Sequence, residues 1–248
     1  MANITGPAFL SYTDLYANDT TIPSGLYLGA RSYGDGGKMF RYALAGGSDL
    51  VKGNLLQERA EDTQFENMAV LAQAIATAGV LQTVPVTNGS TTVAAHDFDG
   101  GSLSVYTTPD GGSEYKILGH TTGGSGAALT LTIDRPLQTA WTTSTKVNMK
   151  WNPWSKVIQA PATTQTGIPV GVAIYAIPTA TYGWVQTHGE AAVLSDGSTF
   201  AVGSEVGTPS GTAGCVTVYA AGTTHAKVGS VRQAAASGHW ISIFLQID

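Results

Sequence analysis

A chain of 248 residues is long enough to bury a sizeable core, as one large β-domain or as two smaller ones. Only 12% of the residues are charged and the formal net charge is −5 with no basic cluster, which excludes the phosphate-neutralising surface that nucleic-acid binding needs. The single Cys215 excludes an intrachain disulfide, and no apolar run approaches the ~20 residues of a membrane-spanning helix. Charge keeps monomers apart, so a surface this poor in it predicts one of two things. Either other subunits cover much of the exterior, or a neutral Thr-, Ser- and Gly-rich β-surface faces solvent.

The N-terminus, Met1-Ala-Asn-Ile-Thr-Gly-Pro-Ala8, lacks a basic stretch followed by an apolar run, which predicts synthesis without an export signal. Residues 1–54 show little periodicity, and Leu28 to Gly47 alternates turn signals with short apolar pieces. This predicts an extended N-terminal arm whose aromatic residues, Tyr27, Tyr33, Phe40 and Tyr42, seek a partner surface. Over 61–78, Phe65, Met68, Ala69, Ala72, Ile75 and Ala76 recur at spacings of three and four, Thr63 and Glu66 have the form of a capping box, and Gly79 stands at the stop. The expectation is one amphipathic helix within a helical segment spanning 55–79.

From Val80 the pattern is β throughout. Strands are expected at Leu81–Val86, Thr91–Ala95, Gly101–Thr107, Tyr115–Gly119, Ala128–Asp134 and Lys146–Trp151, with turns at Asn88-Gly89, Pro109-Asp-Gly-Gly112 and Gly123-Gly-Ser-Gly126. Leu129-Thr-Leu-Thr-Ile133 alternates with period two, aiming Leu129, Leu131 and Ile133 at a core. The low-charge stretch from Gln159 to Pro169 reads as a linker, giving a first β-module at 80–158 and a second at 159–248. The second is organised around the strand-like runs Val170–Ile177 and Thr181–Glu190, with Trp240–Ile247 closing the sheet. The fold class is therefore mainly β, with one or two antiparallel sandwich or barrel modules, one helix and an N-terminal arm.

Catalytic patterns are weak. His96-Asp-Phe-Asp-Gly-Gly101 offers one nitrogen and two carboxylates, but an EF-hand counted from Asp97 would need Glu where Thr108 stands, so the segment reads as a turn into the next strand. The five histidines show no HxxxH or HExxH spacing, no Gly-x-Ser-x-Gly elbow occurs, and Gly207 to Gly214 lacks the lysine and following helix of a phosphate loop. Cys215 has no basic neighbour in sequence and reads as a small buried residue. No catalytic residue, metal ligand or cofactor is assigned. Trp151, Trp154 and Trp184 read as packing or interface residues, with the Trp151-Asn-Pro-Trp154 pair as the alternative platform for a sugar.

Asp97-Phe-Asp-Gly-Gly-Ser-Leu103, Tyr115-Lys-Ile-Leu-Gly119, Asp134-Arg-Pro-Leu137, Thr142-Thr-Ser144, Gly171-Val172, Tyr182-Gly-Trp-Val-Gln-Thr-His-Gly189 and Asp196-Gly197 together resemble virion structural proteins of tailed phages, many of them marine. The likeness spreads over about residues 80–205 and is to head-decoration, or capsid-cement, proteins and related minor capsid proteins. It implies a non-enzymatic protein on the capsid exterior, self-associating as a homotrimer, with the major capsid protein as partner. A carbohydrate- or receptor-binding module of a phage fibre is the alternative.

Overall fold

The computed structural model describes residues 10–71, 79, 82–220, 225–233 and 239–248. They are mainly β and divide into two units, Glu61–Asn152 and a discontinuous unit of Met1–Ala60 with Pro153–Asp248. In chain order the discontinuous unit opens with a short helix α1 (Tyr12–Leu15) and strands β1 (Arg31–Gly34), β2 (Lys38–Leu44) and β3 (Leu55–Gln57). The inserted unit carries β4 (Met68–Val70), β5 (Thr83–Thr87), β6 (Ser102–Val105), β7 (Glu114–His120), β8 (Ala128–Ile133) and β9 (Lys146–Lys150). The chain then returns for β10 (Ile158–Gln159), β11 (Pro169–Ala173), β12 (Tyr182–Leu194), β13 (Glu205–Gly207), β14 (Thr217–Val218), β15 (Lys227–Val231) and β16 (Trp240–Gln246).

The inserted unit is a closed antiparallel barrel in the order β4-β5-β8-β7-β6-β9, with β9 pairing back to β4. Closure removes sheet edges and turns one side of every strand inward. The alternation in β8 does what its pattern requires, since Leu129, Leu131 and Ile133 are all fully buried. They join Val84, Val86, Leu103, Ile117, Val147 and Met149 in one core. Pro109-Asp-Gly-Gly112 and Gly123-Gly-Ser-Gly126 form the turns between β6 and β7 and between β7 and β8. Of the strand expected at Thr91–Ala95, a single bridge from Val93 to Gly123 forms.

The helix expected over 61–78 does not form in its described part. Asp62 caps a 3₁₀ turn, Thr63–Phe65, by accepting from the Gln64 N–H, and β4 follows at once. The apolar residues that fit a helical face also fit this arrangement. Phe65 enters the barrel core, and Met68 and Val70 do so with the period of a strand. Barrel closure between β5 and β9 thus overrides local helix preference. Ala72, Ile75 and Ala76 lie outside the described residues.

The discontinuous unit is a ten-stranded sheet in the order β10-β3-β11-β12-β16-β15-β13-β14, with β2 also on β12 and β1 on β2. Its central strand, β12, pairs with β2 over Tyr182–His188 and with β16 over His188–Leu194. Two boundaries therefore move. Residues 31–44 carry two strands of the sheet, and Ala45 and Leu50 are bridged to Val157 and Ile177, so this stretch is no detached arm. The stretch Gln159–Pro169 is no linker, since Ala160 is buried in a core and its N–H donates to the Leu55 carbonyl at 3.0 Å. The chain leaves and re-enters the unit at Ala60 and Pro153, just beyond the antiparallel pair Gln57 and Ile158.

Candidate functional site

The segment from Leu10 to Ala30 lies as a strap over one face of the large sheet. Ser11 starts it by capping α1, its hydroxyl accepting from the Asp14 N–H at 3.2 Å. Leu10, Leu15 and Leu26 then pack on Ala30, Phe40, Tyr42 and Trp184. The polar side of the strap is fastened as well. Asp19 and Tyr182 exchange backbone hydrogen bonds at 3.0 and 2.8 Å, and the Tyr42 hydroxyl donates to Asp19 Oδ2 at 2.6 Å. The Tyr175 hydroxyl donates to the Ala17 carbonyl, and Asn18 Nδ2 to that of Ala176 at 3.2 Å.

Burial, aided by the carboxylate of Asp19, pushes the Tyr42 hydroxyl far above the usual tyrosine range. Burial pushes Tyr175 up to about 12. Both phenols therefore remain neutral donors across the physiological range, and the fastening does not loosen with moderate alkali.

Five large side chains of this stretch face outward instead. Tyr12 is 75% exposed, Tyr16 48%, Ile22 41%, Tyr27 39% and Tyr33 41%. Tyr12 and Tyr16, four residues apart at α1, stack with centroids 6.1 Å apart. Single exposed hydrophobics are ordinary on a protein surface, but here four lie on the fastened strap, with Tyr12 and Tyr16 in contact, and Tyr33 follows on β1.

The aromatic residues singled out from sequence separate into two groups. Tyr27 and Tyr33 belong to the exposed row. Phe40 and Tyr42, expected on an extended arm, do not reach the surface, because they lie on β2 with the strap over them, and Trp184, expected in packing or at an interface, is buried with them. Tyr42 stacks on Tyr182 at 5.9 Å and tilts against Trp184 at 5.2 Å.

Trp151 and Trp154 are half-buried, and each is engaged within its own unit. Trp151 stacks on Phe98 at 4.9 Å and meets the edge of Phe65 at 5.1 Å in the barrel core. Trp154 has the Arg41 guanidinium 4.9 Å from its ring centroid on one hand and the backbone of Gly29 on the other. Tyr12, Tyr16 and Ile22 were missed by sequence reasoning; the spacing of Tyr12 and Tyr16 was the one available signal.

The groups that suggested chemistry have structural duties. His96 and Asp99 pair at 2.9 Å within the turn that precedes β6. His120 Nε2 accepts from the Phe98 N–H at 2.9 Å while Nδ1 faces the Thr121 carbonyl at 2.8 Å, which fixes the neutral ring with its proton on Nδ1. Burial, then the charge of Asp196, raises the Cys215 thiol to about 11, and its S–H donates to the Thr212 carbonyl. Such a thiol is a poor nucleophile. Among the described residues no three His, Cys, Asp or Glu side chains converge as a metal site would need. Comparison of the chain with models of protein families, with curated proteins and with solved structures finds no match.

Proposed function

We propose that this chain is a virion structural protein of the capsid-decoration type, which binds and stabilises the outer surface of a phage capsid. The observation that carries this reading is the exposed row from Tyr12 to Tyr33 on a segment fastened to its own sheet. A fastened apolar surface docks without the ordering cost that a loose arm pays, which leaves more of the contact energy as affinity. The low charge of the chain, 12% of residues, supports the same reading, since interface cores are depleted in charge and enriched in aromatics. The partner is the major capsid protein, self-association is as a homotrimer, and each contact covers on the order of 1,000 Å² or more. Such a role needs no catalytic residue and no cofactor.

The test is co-sedimentation of the purified protein with empty capsids of the phage that encodes it, alongside mass photometry of the protein alone. Expected are a trimer and saturable capsid binding, with the triple variant Tyr12→Ser, Tyr27→Ser, Tyr33→Ser bound at least about tenfold more weakly. A monomer that leaves capsids bare, or a folded triple variant that binds undiminished, would refute the reading.

A further inference from the structure

On the solvent face of the β12–β16 ladder, beside the strap, lies a cavity of about 760 Å³. The opposite face of the same ladder carries Val193, Ile241, Ile243 and Leu245 into a core, so the cavity floor is rigid. Its size falls within the ~300–1,000 Å³ of small-molecule sites. It shares Tyr16, Lys38, Ile174 and Gln186 with a second cavity of about 430 Å³ next to α1. Together they form a groove and not an isolated pit.

Three features of the lining point to one ligand chemistry. Trp240 stands at one end and is 59% exposed, yet it is supported from behind. A Cβ built on Gly53 would fall 2.3 Å from its Nε1, so the indole rests on bare backbone at a residue whose φ of +80° already favours glycine. Tyr16 supplies a second exposed ring in the lining. Lys38 and Lys52 also line the groove, and neither makes an ion pair among the described residues.

The carboxylate of the main cavity, Glu190, is already answered. Arg232 donates to its Oε2 at 2.7 Å and the Ser242 hydroxyl to its Oε1 at 2.8 Å. In a chain of net charge −5, the main cavity is thus locally cationic and flanked by aromatic faces. Asp35, in the smaller lobe, is the acid that a ligand must avoid.

We infer that this groove binds an acidic oligosaccharide, a short glycan bearing carboxylates, with a pyranose face on Trp240 and its carboxylates at Lys52 and Lys38. The C–H face of a sugar ring complements the negative face of an indole, and the ammonium groups answer the acid. An acidic peptide fits less well. The floor strands β11, β12 and β16 are each paired along both edges, so no edge is left for an extended peptide to join. The four-residue α1 beside the smaller lobe offers a phosphate little, since the Ser11 hydroxyl takes its Asp14 N–H and Asp14 adds a negative charge to its first turn. Tyr16 and Tyr12 belong both to the groove and to the outer row of the strap, but glycan binding by the isolated chain is read without capsids, so either reading can fail without the other.

Isothermal titration of the intact chain at low ionic strength with hexagalacturonate, maltohexaose and hexaaspartate tests it. Expected is saturable binding of hexagalacturonate, about tenfold or more tighter than either of the others and weakened by added salt. Trp240→Ala and Lys52→Glu each lower that affinity about tenfold or more. Both sites are exposed, and near-ultraviolet circular dichroism checks that each variant is folded. If Trp240→Ala loses its native spectrum, Lys52→Glu decides alone. No heat with hexagalacturonate, equal affinity for maltohexaose, preference for hexaaspartate, or undiminished binding by folded Lys52→Glu overturns the inference.

Discussion

Arg41 gathers three distant parts of the chain at one guanidinium. Its Nε and Nη2 donate to the two carboxylate oxygens of Asp248 at 2.7 and 2.9 Å, its Nη1 to the Gly29 carbonyl at 2.9 Å, and its plane lies against Trp154. Arg31 adds a bond to Asp248 Oδ1 at 3.0 Å. The hydrogen bond from Arg41, aided by the charge of both arginines and opposed by partial burial, holds the Asp248 carboxyl below its ordinary range. A carboxyl whose folded value is depressed contributes stability above its unfolded value and loses that contribution as pH falls through the folded one. Asp248→Asn should therefore cost about 1 kcal/mol at neutral pH, less at high salt. Urea midpoints of the two proteins should converge below the ordinary carboxylate range. A gap that persists at acid pH would show that the asparagine harms packing and not charge. None of this was legible in the sequence, because Arg41 and Asp248 are 207 residues apart. The same holds for Asp110, read as a turn residue. Its buried carboxylate accepts from Trp141 Nε1 and the Tyr115 hydroxyl, both at 2.9 Å, and so orders the barrel core.

At the level of elements, β12 shows what a pattern can and cannot reveal. The run Thr181–Glu190 reads as a strand because of its β-branched and aromatic residues, and a strand it is, continued to Leu194. Its lack of alternation over Gly183–Thr187 has a cause the sequence does not display. Val185 faces one core while Trp184 faces the strap, so both sides are covered. Pairing with β2 shifts register between Gln186 and His188, and Gly189 follows with φ +87°. There a Cβ would stand 3.1 Å from the Cα of Lys38. Gly189→Ala should destabilise the protein by about 1–3 kcal/mol, seen as a lower thermal midpoint. An unchanged midpoint would mean the bulge relaxes freely. Over its described part, 61–71, the expected helix gives way for the converse reason. A short segment with apolar residues at mixed spacings satisfies either period, and the strands beside it in the barrel decide.

For the whole molecule, the decisive feature is where the chain crosses between units. Composition pointed to Gln159–Pro169 as the joint, yet the crossings fall in Arg59-Ala-Glu61 and Asn152-Pro153, which carry no glycine run. A joint that leaves and returns beside a paired couple of strands needs no flexible spacer, so composition does not mark it. Gln57 opposite Ile158 and Leu56 opposite Gln159 hold the two chain ends together from within the large sheet. Replacing residues 61–152 by a short Gly-Ser linker should thus leave the large unit folded, with structured near-ultraviolet dichroism from its remaining Trp154, Trp184 and Trp240 and one cooperative melt. A shortened chain without that dichroism would show that the barrel is required for the fold of its host.

The same insertion governs the order in which the molecule can assemble as it leaves the ribosome. Strand β2 is made early but must await β12, and contacts such as Asn18 to Ala176 span 158 residues. The barrel, contiguous in sequence, can close while its host is still half made. Once closed, it shortens the loop between β3 and β10 to a few effective residues and so reduces the entropy lost on joining them. The barrel thereby acts as a clasp during biogenesis, favouring the pairing of β3 with β10 before the remaining strands arrive.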